Sequence, residues 1–193
     1  MMEKRVPIKF KPLYMHQKKT AVYSYMGKHT IVASSTGTGK SNSALATLAL
    51  VHHYGEEVRC VAIVPSTSVL QWEAEIKRWT PGFTVEKIPP KTHKKVRLET
   101  YAKPWNILVM GYHAFSKDFA NVVKCGAKQS IVDDVDPILD HRNATHNAIV
   151  SLTRTCDLNI VMNATISSMR AEQVYSATNL IGGSSIWGSL TNF

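Results

Sequence analysis

The chain has 193 residues, 44% of them hydrophobic, and its 23 Lys and Arg against 14 Asp and Glu give a formal net charge of +9. That length and apolar content suit one globular domain whose core needs neither disulfides nor metals, and no apolar run is long enough to span a bilayer as a helix. Cys60, Cys125 and Cys156 show no metal-binding spacing and cannot all pair, and the basic N-terminal segment 1–12 lacks the apolar stretch of a signal peptide, so an intracellular, cytoplasmic setting is expected.

Strand and helix signals alternate along the chain. Thr30 to Ala33 is a short apolar strand candidate, and a helix candidate runs from Asn42 to His53 with Ala44, Leu48 and Val51 at helical spacing. Between them lies Ser34-Ser35-Thr36-Gly37-Thr38-Gly39-Lys40-Ser41. Strand, glycine-rich turn and helix form the context in which backbone N–H groups and the positive helix end cradle phosphates. The pattern assigns Ser35, Thr36, Gly37, Thr38 and Gly39 to that cradle, Lys40 to the outer phosphates of ATP, and the Ser41 hydroxyl to Mg²⁺. The first position, commonly Gly, is Ser34 here. A fortuitous Gly-rich turn ending in Lys-Ser is the bland alternative, and the flanking elements argue against it.

Val58 to Val64 reads as a buried strand ended by Pro65-Ser66-Thr67. Val69, Trp72, Ile76 and Trp79 mark one face of a helix that stops before Pro81-Gly82, and both tryptophans read as core rather than as base-stacking groups. Phe83 to Ile88 is a short strand candidate. The basic stretch from Lys91 to Tyr101 reads as a helix or an exposed loop. A strand at Asn106 to Met110 precedes a helix through Phe115 and Phe119. Ser130-Ile131-Val132 then delivers Asp133 at a strand's C-terminal end, where ligands bind in such sheets. Asp133 is the candidate Mg²⁺ carboxylate opposite Ser41, and Asp134 the candidate base or water-positioning group. A solvated acidic turn is the alternative for this cluster. Asn143 to Arg154 is a further helix, Leu158 to Met162 a further strand, and Ala171 to Ile181 the last helical face. The alternation implies an α/β fold, a mostly parallel sheet with helices on both faces. The positive charge, gathered before Lys19 and in Lys91 to Arg97, favours a polyanionic partner, nucleic acid first.

With the loop, the acidic cluster and Met162-Asn163-Ala164-Thr165 in that order, the chain resembles superfamily 2 helicases, and among them the Swi/Snf-type DNA translocases. The resemblance runs from about Leu13 to Phe193 and rests on order and spacing, since each motif is weak alone. Leu13-Tyr14-Met15-His16-Gln17 is similar to the family's opening element, with the aromatic displaced, which assigns Gln17 to the adenine edge. Val61 to Ser66 followed by Gln71-Trp72-Glu73 looks like the family's strand, Pro and Trp-Glu helix, and Ile107 to Tyr112 like its next strand motif. The resemblance implies a single RecA-like P-loop domain over residues 1–193, with ATP and Mg²⁺ on one edge and nucleic-acid backbone, DNA foremost, on another. It places Ser66, Thr67 and Gly111 where the family contacts phosphates, and Thr165 in the motif that couples nucleotide state to nucleic acid.

Three departures stand out. Asp134 takes the place of the family's Glu and is one methylene shorter, Asp136 replaces a His or matches the Asp of the DEAD-type variant, and Ile166 replaces a Pro after Thr165. The family also works with a second RecA-like lobe, in the same longer chain or a partner chain, that supplies an arginine finger. Without it, weak nucleotide binding and little turnover are expected. The competing reading is a truncated or degenerate lobe that binds nucleic acid or protein without working as a motor. A small-molecule P-loop kinase fits the later motifs less well.

Overall fold

The computed structural model describes residues 13–140, 142–164 and 170–182. Thirteen regular elements alternate among them: α1 (Met15–Gly27), β1 (His29–Ala33), α2 (Lys40–His53), β2 (Cys60–Val64), α3 (Val69–Trp79), β3 (Val85–Ile88), α4 (Lys94–Ala102), β4 (Ile107–Gly111), α5 (Tyr112–Lys124), β5 (Gln129–Asp133), α6 (Ala144–Thr153), β6 (Leu158–Asn163) and α7 (Ala171–Asn179). The six strands form one sheet in the order β1-β6-β5-β2-β4-β3, and every neighbouring pair is parallel. Parallel strands require crossovers, and the helices that make them cover both faces.

The inner strands are short and almost wholly apolar because nothing on either face meets water. All five residues of β2 and of β4 are buried. Alternation along β2 splits its side chains between two cores. Val61 and Ile63 join the cluster that holds Phe115 and Val122 of α5 with Ile149 and Leu152 of α6. Cys60, Ala62 and Val64 face Leu45 and Leu48 of α2 with Val69, Trp72 and Ile76 of α3. Both tryptophans of α3 belong to this core, Trp72 buried and Trp79 partly buried against it. The stretch from Lys91 to Tyr101, open between helix and loop in the sequence, is helical from Lys94 onward.

The element that the sequence pattern does not announce is α1. Its buried residues are Gln17, Ala21 and Ser24, while Met15, Val22, Tyr23 and Met26 are exposed. A helix whose inward face is small and polar carries no apolar stripe to read. Tertiary packing places it: α1 lies on α2, where Thr47 Oγ1 donates to the Ala21 carbonyl at 3.4 Å and to the Ser43 carbonyl at 3.0 Å.

Parallel strands put every strand C-terminus on one rim. The loop before α2, the turn after β2, Gly111, Asp133 and Asn163 therefore all open on the same edge.

Candidate functional site

Two glycines shape the loop between β1 and α2. Gly37 and Gly39 have φ of +78° and +80°, a region that strains any side chain. Gly39 also lies against the Gln17 amide so closely that a Cβ would collide with it. Lys40 opens α2, and its Nζ donates to the carbonyls of Ser34 at 2.7 Å and Ser35 at 3.2 Å. The lysine thus folds back along the hollow of its own loop, at the inner rim where a phosphate would sit. Ser34 has its own partner, since its Oγ and Thr38 Oγ1 are 2.9 Å apart, and its N–H donates to the Asn163 carbonyl at 3.3 Å. A hydroxyl pair therefore spans the loop at the position where Gly is common.

Helix α1 supports this loop from below. Gln17 Nε2 donates to the Thr38 carbonyl at 3.1 Å, and Nε2 of His16 reaches the same oxygen at 3.0 Å. Gln17 Oε1 accepts the Tyr14 N–H at 3.0 Å, so the glutamine closes the helix start as a capping residue does. Both ends of its amide are engaged inside the protein, and the residue is 5% exposed.

The acidic turn faces the loop across β6. Asp133 ends β5, and its Oδ2 accepts the indole N–H of Trp72 at 2.9 Å. Burial pushes the Asp133 carboxyl up from its ordinary value, and the Trp72 bond and the Lys40 charge offset only part of that rise. Asp134 is exposed and adopts φ +56°, with its N–H donating to the Met162 carbonyl at 3.0 Å. Asp and Asn tolerate this left-handed region better than most residues. The Tyr112 hydroxyl bonds the Asp133 carbonyl at 2.6 Å and also lies 3.2 Å from that of Asp134. Asn163 Nδ2 donates to Asp136 Oδ1 at 2.7 Å, so the end of β6 is tied to the same turn.

Together these parts enclose a cleft of about 480 Å³ lined by Gly37, Lys40, Ser41, Trp72, Asp133 and Asp134. A hydroxyl and a carboxylate across a lysine and a turn of backbone N–H groups fit a phosphate-bound Mg²⁺, a cation that takes few protein oxygens and completes its shell with phosphate and water. The structure thus brings together Lys40, Ser41, Asp133 and Asp134. Ser35 and Thr36 lie exposed on the loop. Thr165 lies outside the described residues.

A second cleft of about 590 Å³ opens further along the same rim, lined by Ser66, Gly111, Lys91, Lys94, His113 and Lys117. Gly111 is needed here for close approach, because a Cβ would stand 2.5 Å from Ser66 Oγ and 3.1 Å from Ser66 Cα. Thr67 is exposed beside it but is not part of the lining. The basic stretch divides in two. Lys91, with φ +64°, and Lys94 reach solvent, whereas Arg97 is buried. Its Nε donates to Asp118 Oδ2 at 2.5 Å and its Nη1 to the Thr92 carbonyl at 2.7 Å, and Tyr101 donates to the same Asp118 oxygen at 2.9 Å. Asp118 itself breaks the helical path of α5, at φ −112° and ψ 17°.

A family model described as the SNF2-related domain matches residues 16–164, most of the chain. The chain belongs to the SNF2-related domain family. Helicase swr1 of Emericella nidulans is similar to it, with 26% identity over 125 residues, 63% of this chain and 7% of that protein. The human DNA annealing helicase and endonuclease ZRANB3 is 25% identical over 150 residues, 75% of this chain and 13% of its own length. This SNF2-related domain thus spans only a small part of the curated relatives it matches. Among solved structures, the Sulfolobus solfataricus SWI2/SNF2 ATPase core in complex with dsDNA superimposes with a TM-score of 0.82 at 16% identity, covering 100% of this chain and 40% of that one. At that identity the likeness establishes the RecA-like fold of the SNF2-related domain.

The sequence reading missed the groups that hold the site rather than those that form it: His16, the Tyr112 hydroxyl, Asn163 with Asp136, and the indole N–H of Trp72. One signal was available for the last. A buried tryptophan usually places its N–H on a partner, although Trp105 here does not, so an apolar-face Trp one strand away from an acidic end is a candidate donor.

Proposed function

We propose that this chain is the ATP-binding lobe of a DNA helicase or translocase that couples ATP hydrolysis to movement on nucleic acid. The observation that carries the reading is the juxtaposition of Lys40 and Ser41 with Asp133 and Asp134 around one cleft. Backbone N–H groups of Ser35 to Gly39 and the start of α2 would bind the phosphates. Lys40 would leave the Ser34 and Ser35 carbonyls for the outer phosphates, replacing two neutral acceptors by an anion. Ser41 and Asp133 would hold Mg²⁺, which when bound neutralises phosphate charge. Asp134 would position the attacking water, and Gln17 would keep the loop in register and would meet the adenine edge only by releasing the Thr38 carbonyl or the Tyr14 N–H.

The basic cleft is the proposed nucleic-acid face. Ser66 and Gly111 bring two backbones close together at its floor, Thr67 stands beside it, and Lys91, Lys94 and Lys117 supply charge for phosphates. The printed description of the Sulfolobus structure, a complex with dsDNA, supports duplex DNA as the first ligand to try. A second RecA-like lobe, in the same chain or a partner, would close on the nucleotide, and Thr165 would relay nucleotide state. An intracellular setting belongs to this proposal.

The test is Lys40→Ala with a fluorescent ATP analogue and Mg²⁺. Loss of one charge-assisted hydrogen bond predicts affinity weaker by about 10- to 100-fold. Affinity unchanged by the substitution would refute the site.

One observation favours a second reading, a lobe that binds without hydrolysing: the acid at position 134 is the shorter Asp, held in a left-handed conformation.

A further inference from the structure

Trp72 reads from the sequence as core and Tyr112 as the end of a strand motif, yet both send their polar atoms into the acidic turn. Trp72 stands one turn into α3, is 3% exposed, and donates to the Asp133 carboxylate at 2.9 Å. Tyr112 is the first residue of α5 and donates to the Asp133 carbonyl at 2.6 Å. One bond fixes the direction of the carboxylate and the other fixes the backbone that carries it. Both donors come from elements anchored elsewhere. Helix α3 is held through Val69 and Ile76 in the core, and α5 through Phe115 and Val122.

We propose that Trp72 and Tyr112 are positioning residues that aim Asp133 at Mg²⁺ in the nucleotide cleft. The proposal rests on the nucleotide reading above. Three physical points support it. Asp133 is partly buried on a strand end, so its carboxylate is only partly hydrated and a fixed donor decides its direction. A hydrogen bond from a neutral indole orients the group without cancelling its charge, as outer-shell donors do for metal-binding carboxylates. The turn that follows places Asp134 in the left-handed region at φ +56°, and the Tyr112 hydroxyl spans the two carbonyls on either side of that residue's N–H and Cα.

Neither residue touches phosphate in this reading, so metal-free nucleotide binding should not depend on their polar atoms. That separates positioning from general packing. Trp72→Phe and Tyr112→Phe are each compared with the unaltered full chain. A fluorescent ATP analogue is titrated once with excess EDTA and once with saturating MgCl₂, and the ratio of the two affinities is the Mg²⁺ gain. Loss of an outer-shell partner typically weakens metal affinity by 10- to 100-fold. Each variant is therefore expected to lose about tenfold or more of the Mg²⁺ gain, and Tyr112→Phe, which lies outside the cleft lining, keeps its EDTA affinity within about twofold of the parent.

Tyr112→Phe removes one oxygen and keeps the ring, so it carries the test if Trp72→Phe does not fold. A Mg²⁺ gain equal to the parent's in Tyr112→Phe overturns the proposal, as does a loss in which EDTA affinity falls in parallel. Failure of the nucleotide reading looks different: the parent chain itself then binds no analogue in either buffer. A parent that binds the analogue with no Mg²⁺ gain overturns the role of Asp133 and this proposal together, while leaving Lys40 as a phosphate ligand.

Discussion

Asp134 is the residue on which the proposed chemistry turns. By the resemblance to helicases it takes the place of a Glu and is shorter by one methylene, and a catalytic group displaced by about 1 Å can cost about a hundredfold in rate. Its backbone sits at φ +56°, where Asp is better tolerated than Glu, so the shorter side chain and the turn suit one another. Asp134→Glu is accordingly expected to raise single-turnover ATP hydrolysis by up to about a hundredfold, at a cost in stability of about 1 kcal/mol for Glu in the left-handed region. An unchanged rate, with nucleotide still bound, would favour the binding-module reading instead. At this scale the sequence was most informative about residues that act by type and position along a strand-turn-helix unit. Lys40, Ser41 and Asp133 could be chosen because their chemistry and their place at element ends are both written locally. Ser34 illustrates the limit. Its departure from Gly is visible in sequence, but its hydroxyl pairing with Thr38 depends on the folded loop.

Among elements, the pairing of α4 with α5 is not announced by the sequence and depends on pH. Arg97, Tyr101 and Asp118 form a buried cluster that joins the two helices and pins the Thr92 carbonyl at the edge of the basic cleft. Burial alone would push the Asp118 carboxyl up, but its bonds to Arg97 and Tyr101 and the Arg97 charge hold it below its ordinary value. The sign follows from linkage. A carboxyl lowered on folding contributes stability above its unfolded pKa of about 3.9, and that contribution is lost as pH falls through the lower folded value. Asp118→Asn is therefore expected to destabilise the domain at neutral pH by about 3–5 kcal/mol, the cost of breaking a buried pair. Urea midpoints followed from pH 7 down to about 3 should fall more steeply in the parent than in the variant. Parallel slopes would contradict the assignment. A run of lysines ending in Arg97 reads as one basic surface in sequence, because nothing in it says that the last member turns inward. Only the partner at position 118, twenty-one residues away, decides that. Helix α1 hid for the opposite reason: its buried face is Gln17, Ala21 and Ser24, and no apolar period betrays it.

For the molecule as a whole, the parallel sheet explains why motifs far apart in sequence meet. Every strand delivers its C-terminus to one rim, and the order β1-β6-β5 places the loop before α2 and the acidic turn on either side of the strand that ends in Asn163. The α/β architecture was legible because strands buried on both faces read as short apolar runs and the crossovers read as helices. The strand order was not, since it depends on which runs pair. Two clefts lie on that single rim, one with Lys40 and Asp133 and one with Lys91, Lys94 and Lys117, and the proposed function would couple nucleotide in the first to nucleic acid in the second. The central claim is that the first of these holds Mg²⁺ and the ATP phosphates. Its most direct test is a crystal structure of the chain with Mg²⁺ and a non-hydrolysable ATP analogue. The account predicts that Lys40 Nζ leaves the Ser34 and Ser35 carbonyls for the outer phosphates, with the metal between Ser41 and Asp133. Phosphates bound elsewhere, with Lys40 still on those two carbonyls, would contradict it.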